Sequence, residues 1–448
     1  MTEIKRIQHP DVDTSQPLVE RGSGRSAPSL EGLNLIIEKD RIANTFDNMA
    51  TILACLDVWH GVFAFDELSG QIMMMRPLPH SRGNPKLFSP RTIIDNDISN
   101  VRAWFNRHLK WMRVTKSDVQ DAIQAAAREN IVSPVRHYLE GLPVTSVERA
   151  RAFLKEVLNL HFGLRRFGVH PETLIYSELV FRKFLISAVA RMMEPACKAD
   201  HVLILEGPQG AGKSTAVRVL IGEDYFADSL PRLDSKDASD FIRGKWGIEL
   251  PELASVSKVE VEQVKAFITR QVDKFRPAYG RCEETYQRRC VFIGTTNRTD
   301  YLRDETGNRR FWPIKIEKAD IPAIDRDRDQ IWAAAVTLYR AGEQWWLTEE
   351  EAQLAKQQQM QRTVVDPLFE EVAAWLSETG KMQTCMREVM EKVLGAGDAY
   401  QQNTMPQHLW HSIRGALNAA GFESTNKQLT SGDYKGHTIF ARVQEPPF

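Results

Sequence analysis

The sequence predicts a three-layer α/β fold around a parallel sheet in its middle third, and three observations carry the prediction. Val202–Leu205, Trp246–Leu250 and Val291–Gly294 are short apolar runs, each ending at a polar or glycine-containing turn, as buried strands of a parallel sheet do. Helical segments fill the intervals between them. Directly after the first run stands Gly207-Pro-Gln-Gly-Ala-Gly212-Lys213-Ser214, a complete GxxxxGK[ST] with a strand before it and a helix after.

The rest of the chain is organised around that core. At 448 residues there is room for roughly three domains. Residues 1–31 include a polar stretch rich in Ser, Gly and Pro and read as a flexible arm. Residues 32–195 are mainly helical, with a small β element near 62–76. Val101, Trp104, Phe105, Leu109 and Met112 share one helical face. Ser117 with Gln120, and Thr145 with Glu148, make capping boxes for two further helices, and a long amphipathic stretch runs from Glu172 to Met193. The core itself spans 196–346, closing on a helix with Ile331, Ala335 and Leu338 on one face. The polar, Gln-rich run within 347–364 is expected to be a linker. In 365–448, helices at Phe369–Leu376 and Leu409–Ala419 precede an apolar alternation over His437–Val443, the order of a winged helix.

Bulk composition excludes several classes. A 42% hydrophobic and 26% charged chain is ordinary for a globular protein. The net charge of −1 supplies no global field towards DNA or membrane, so any nucleic-acid contact must be a local basic surface. Five cysteines (Cys55, Cys197, Cys282, Cys290, Cys385) form no CxxC pair, which argues against a zinc ribbon and fits a reducing cytoplasm. No apolar run approaches the ~20 residues that span a bilayer, and residues 1–10 lack the apolar core of a signal peptide. A soluble protein in the cytoplasm of a bacterial host is the expectation, with no membrane partner.

The chemistry starts at the glycine-rich loop. Glycines let successive backbone N–H groups wrap phosphates, and the following helix presents its positive end to them. Gly207, Gln209, Gly210, Ala211, Gly212, Lys213, Ser214 and Thr215 are therefore the ATP-binding candidates. Lys213 is placed to reach the β- and γ-phosphates, and the Ser214 hydroxyl to bind Mg²⁺. A hydrolase also needs one carboxylate for the metal and another to orient water. Lys245-Trp-Gly-Ile-Glu249-Leu-Pro-Glu252 offers both: Glu249 as the Mg²⁺ partner, Glu252 as the group that polarises water. Otherwise Glu252 is a surface carboxylate at a helix start.

Three further groups complete the candidate machinery. The third apolar run emerges in Thr295-Thr296-Asn297, and Asn297 is the candidate γ-phosphate sensor; the alternative is a plain turn residue. Gly307-Asn-Arg309-Arg310 sets two consecutive arginines in a Gly-led loop suited to γ-phosphate charge, from the same chain or from a neighbouring subunit; the alternative is surface ion pairing. Between Arg270 and Arg289, Arg270, Lys274, Arg276, Arg281, Arg288 and Arg289 outnumber Asp273, Glu283 and Glu284, with Tyr279 and Tyr286 interleaved. A basic, aromatic hairpin there would track single-stranded DNA, with Arg276, Tyr279 and Arg281 as contacts; the alternative is a solvated loop whose charges pair among themselves.

Taken together, these residues resemble the virulence-associated protein E family of phage, prophage and genomic-island ATPases, related to superfamily 3 helicases and helicase–primase proteins. The likeness runs from about 44 to 346. It includes Ser133-Pro-Val-Arg-His-Tyr-Leu139, Arg191-Met-Met-Glu-Pro195, the phosphate loop, Glu249-Leu-Pro-Glu252, the stretch Asp273–Arg281, Thr295-Thr-Asn297 and Gly307-Asn-Arg-Arg-Phe-Trp-Pro313. The resemblance implies an AAA+-like or RecA-like P-loop NTPase core, assembly into a homo-oligomeric, hexameric ring, and a role in replicating a mobile element on single-stranded or forked DNA. Two departures stand out. Gly141-Leu-Pro-Val-Thr145 replaces the Trp-Asp-Gly that often follows the Tyr-Leu motif, and no upstream primase domain is expected, so primer synthesis would fall to a separate primase.

Two function classes follow: an ATP-driven nucleic-acid motor, or a nucleotide-gated DNA-binding initiator, loader or regulator that hydrolyses ATP without unwinding. A small-molecule kinase would need the phosphate loop but has no use for Asn297 and a paired-arginine loop.

Overall fold

The computed structural model describes residues 30, 32–79, 88–164, 169–231, 236–251, 258–276, 283–299, 301–302, 308–363, 367–395 and 407–442. The arm expected over 1–31 lies outside them except for Leu30. The chain divides into two compact units, Met1–Arg362 and Thr363–Phe448.

The first unit opens with a short antiparallel pair, β1 (Ile37–Glu38) and β2 (Arg41–Ile42), followed by α1 (Phe46–Cys55). Next come β3 (Phe63–Asp66), β4 (Gln71–Met74), β5 (Arg91–Thr92), α2 (Asp95–His108), α3 (Lys116–Glu129) and β6 (Ile131–Val132). These strands form a four-stranded sheet in the order β5-β4-β3-β6, which gives the β element expected near 62–76. Ile52, Trp59, Phe63, Val101, Trp104, Phe105 and Ile123 fill one core between sheet and helices. Met112, expected on the same face, is instead exposed. Nor does the cap of α3 use Ser117. Thr115 accepts from the Asp118 amide while the Asp118 carboxylate accepts from Thr115 N–H, a stronger box because its returning acceptor is charged.

The second layer begins with α4 (Pro134–Gly141), α5 (Val147–Leu160) and α6 (Pro171–Met193). The cap of α5 is Ser146, accepting from Arg149 N–H, one residue beyond the Thr145 expected. The amphipathic reading of α6 is corrected more deeply, since fifteen of its 23 residues are buried. It lies within a core shared with the large sheet, so no boundary separates a helical domain from the sheet at 195.

That sheet is built from β7 (Val202–Glu206), β8 (Phe226–Ala227), β9 (Gly247–Pro251), β12 (Val291–Thr296) and β13 (Phe311–Lys315). The chain also supplies α7 (Lys213–Ile221) after β7, and α8 (Lys236–Phe241) before β9. Between β9 and β12 it adds α9 (Lys258–Thr269) and an antiparallel hairpin, β10 (Val272–Phe275) with β11 (Glu284–Gln287). All five strands run parallel in the order β13-β7-β12-β9-β8. Leu203, Leu205, Ile293, Trp312 and Ile314 face a core shared with α6, α7 and α10 (Ile321–Arg340). Val202, Ile204, Ile248, Leu250, Phe292 and Phe311 face a second core with Phe267, Ile268, Tyr301 and Leu302. Such alternation, apolar on both faces, is why these runs read as uninterrupted hydrophobic stretches.

The Gln-rich run expected to link domains is instead α11 (Glu349–Met360), part of the first unit. Ala355 is buried, the Gln359 amide donates to the Phe311 carbonyl at 2.9 Å, and the Gln358 amide to Thr173 Oγ1 at 2.9 Å. Amide side chains dock this helix, so its composition hid its burial.

The second unit runs α12 (Pro367–Thr379), β14 (Gln383–Thr384), α13 (Met386–Lys392), α14 (Gln407–Ala419), β15 (Phe422–Gln428) and β16 (Thr438–Arg442). Its three strands form an antiparallel sheet in the order β14-β16-β15, closed over Val372, Val389, Ile413, Leu417, Phe422 and Phe440. Among the described residues no helix is long and apolar enough to cross a membrane.

Candidate active site

The loop that leaves β7 is shaped by close backbone approach. A Cβ on Gly207 would lie 2.5 Å from the Ile316 carbonyl oxygen, so no side chain fits there without displacing the chain that follows β13. Gly210 and Gly212 both sit at φ +78°, and Gly212 is the N-cap of α7. The Ala211 carbonyl accepts from Ala319 N–H at 2.8 Å, which pins the loop to the start of α10. Lys213 opens α7 and turns its ammonium back over the loop, donating to the Gly207 and Pro208 carbonyls at 2.8 Å each. Desolvation draws its pKa below the ordinary lysine value, against the pull of Glu249 in the other direction. Gln209, Ser214 and Thr215 are exposed around this turn.

Parallel pairing brings the acid to the loop. Glu249 pairs with Ile293, and Ile293 pairs with Leu203, so the ends of β9, β12 and β7 lie along one edge. Buried to 2% exposure, the Glu249 carboxylate accepts at a single oxygen, Oε1, from the Ser214 hydroxyl at 2.6 Å and the Thr295 hydroxyl at 2.6 Å. Thr295 escaped the sequence reading of the site. Its signal was one of two hydroxyls, Thr295 and Thr296, at the end of an apolar strand, and which one meets the acid is visible only once the neighbouring strand is known. Asn297 directly follows Thr296, whose register partner is Glu206, so this exposed amide stands at the same edge as the loop. Glu252 lies outside the described residues.

Arg309 and Arg310 are placed elsewhere. They form a 3₁₀ turn, Asn308–Arg310, immediately before β13, whose first residue pairs with Val202 at the start of β7. In a parallel sheet this is the edge opposite the loop, about 13 Å away at a strand rise of about 3.3 Å per residue. Of the two placements left open for these arginines, the same-chain one does not agree with this position. Arg310 Nε donates to Thr269 Oγ1 at 3.1 Å, while Arg309 is exposed.

The basic segment is also divided. Arg288 is fully buried and grips Asp273 with two bonds, at 2.9 and 2.7 Å, and Arg289 pairs with Glu67 at 3.1 Å. Tyr286 donates its hydroxyl to the Leu68 carbonyl, and burial pushes its pKa up. Arg289 and Tyr286 tie the hairpin to the segment after β3, Arg288 and Asp273 brace its base against Phe267, and none of the four is available to bases. Lys274 and Arg276 are exposed on β10 and at its end; Tyr279 and Arg281 lie outside the described residues.

Among the described residues no group of three or more His, Cys, Asp or Glu side chains is arranged to hold a metal ion. The described cysteines, Cys55, Cys197, Cys290 and Cys385, are free thiols.

No curated protein matches the chain. Among solved structures, the A form apo structure of the NrS-1 C terminal region is 14% identical, with a TM-score of 0.42, covering 85% of this chain and 96% of that one. A further apo structure of the same region gives the same values. The family model of the virulence-associated protein E-like domain matches residues 141–364, half of the 448-residue chain. The chain belongs to the virulence-associated protein E-like family.

Proposed function

We propose that this chain is an ATP-hydrolysing, helicase-like motor acting on DNA in phage or mobile-element replication. One observation carries the reading: the Ser214 hydroxyl and the Glu249 carboxylate meet at 2.6 Å, beside Lys213, at the carboxyl edge of a parallel sheet. Ligands of such sheets bind at that edge. The donor set suits Mg²⁺ held with a nucleotide, because that ion commonly takes one or two carboxylates and completes its shell with phosphate and water. Ser214 and Glu249 would hold it, and it would neutralise phosphate charge. Lys213, freed from the Gly207 and Pro208 carbonyls, would turn its ammonium to the phosphates. The insertion of β12 between β7 and β9 supports Asn297 as the γ-phosphate sensor. Glu252 is proposed, from its spacing alone, to orient water.

Arg309 and Arg310 are proposed to act in trans, on the site of a neighbouring copy in a homo-oligomeric ring. Exposed Lys274 and Arg276 support a DNA-tracking role for the hairpin, with Tyr279 and Arg281. The test is ATP turnover with and without forked DNA. Wild type is expected to hydrolyse ATP and Lys213→Ala to lose it while keeping its thermal unfolding midpoint. Wild-type turnover in that variant would refute the site.

A nucleotide-gated DNA binder is the second reading, favoured by the second unit. Its helix, strand, two helices and two strands, with the sheet β14-β16-β15, have the order of a winged helix. Strand displacement on a forked duplex separates the two. DNA-stimulated hydrolysis without unwinding favours the binder.

A further inference from the structure

The strand that delivers the loop reads Val202-Leu-Ile-Leu-Glu206, and its last residue is a charge after four aliphatic ones. Glu206 is as buried as the core, and a buried carboxylate requires partners. Arg362 faces it with two donors, Nη2 to Oε2 at 2.9 Å and Nε to Oε1. The Tyr301 hydroxyl donates to Oε1 at 2.5 Å. The carbonyl of Arg362 in turn accepts from the N–H groups of Tyr301 and Leu302, at 3.1 and 3.0 Å. Its Nη1 donates to the Gln358 carbonyl at 2.8 Å. One cluster thus joins the residue before Gly207, the segment that follows Asn297, and the end of α11.

A buried ion pair is a weak source of stability, because desolvation of both charges offsets most of their attraction. What it does supply is direction, since two parallel bonds fix a guanidinium against a carboxylate. On one side the cluster borders a cavity of about 380 Å³, shared with Thr299 and Lys315. Tyr301 and Leu302 are packed in the second core, and on the cavity side the bonds to Glu206 and Arg362 fix their direction.

We propose that Arg362, together with Glu206 and Tyr301, is a positioning residue of the ATPase, setting the phosphate loop against the Asn297 tip without touching nucleotide. The inference rests on the ATPase reading above.

Its test uses the full chain. The apolar pair Glu206→Leu with Arg362→Met is expected to fold with an unfolding midpoint near wild type. Its kcat should fall about tenfold or more while KM for MgATP changes less than about threefold, as displacement remote from the chemistry predicts. Tyr301→Phe, which deletes one hydroxyl, should lower kcat by a smaller factor, and Arg362→Lys should retain part of the rate that Arg362→Met loses. Unchanged kcat in the folded pair and in Tyr301→Phe overturns the proposal. Should the pair fail to fold, Tyr301→Phe and Arg362→Lys decide by the same kcat-against-KM criterion. A wild type that does not hydrolyse ATP overturns the functional reading instead, and so the two failures are distinguishable.

Discussion

At the level of single residues, the loop glycines differ in what they forbid. At Gly207 the obstacle is a neighbouring backbone, the Ile316 carbonyl, which cannot swing aside as a side chain would. At Gly210 nothing lies within 4 Å of a built Cβ, and only the φ of +78° opposes substitution. Gly210→Ala should therefore cost about 1 kcal/mol of folding stability through backbone strain. Gly207→Ala should cost about 1–3 kcal/mol and shift the loop, weakening nucleotide binding more than the Gly210 change does. Chemical denaturation and a fluorescent nucleotide titration check both; equal effects at the two positions would contradict the account. The same contrast explains which site residues were legible. Lys213 and Ser214 stand in one contiguous motif, and Glu249 closes an apolar run, so pattern alone reaches them. Thr295 needs the strand order, and the Glu206–Arg362 pair spans 156 positions with no local signature.

Elements were legible in proportion to how one-sided their environments are. The strands β7, β9 and β12 announce themselves because both faces are apolar. The helix α6 misleads because burial nearly all round erases amphipathic contrast, and α11 because glutamine amides dock it. The hairpin β10–β11 shows how an element's charge count can mislead too. Asp273 lies on β10 and Arg288 directly follows β11; both side chains are fully buried, with the Arg288 guanidinium 4.5 Å from the Phe267 ring centroid. Their charges serve the base of the hairpin. Asp273→Asn leaves a buried guanidinium without its counter-charge and should destabilise the first unit by about 3–5 kcal/mol. Asp273→Leu with Arg288→Met should be close to neutral, because it removes both charges together. Urea unfolding of the three proteins distinguishes them, and an unperturbed Asp273→Asn would show that the pair is not what anchors the hairpin.

For the whole molecule, the proposed function makes the position of Arg309 a test of how many copies one active site requires. It stands at the edge of the sheet opposite Lys213, one full strand away, and β13 between them is anchored along its length by pairing to β7. No side-chain rotation closes that gap, so under the proposed function Arg309 would act on phosphate held by another copy. Lys213→Ala and Arg309→Ala subunits should then each be inactive alone, since every site in either oligomer lacks one component. Mixed in equal amounts and allowed to exchange, a site works when an Arg309→Ala subunit supplies the loop and its neighbour, a Lys213→Ala subunit, supplies the arginine. Each condition holds for half the subunits, so about a quarter of the wild-type rate should return if assembly is random and the interface heterologous. The measurement is ATP turnover of the mixture, with mass photometry to confirm that hetero-oligomers formed. Mixed oligomers with no recovered activity would rule out an arginine acting across the subunit boundary.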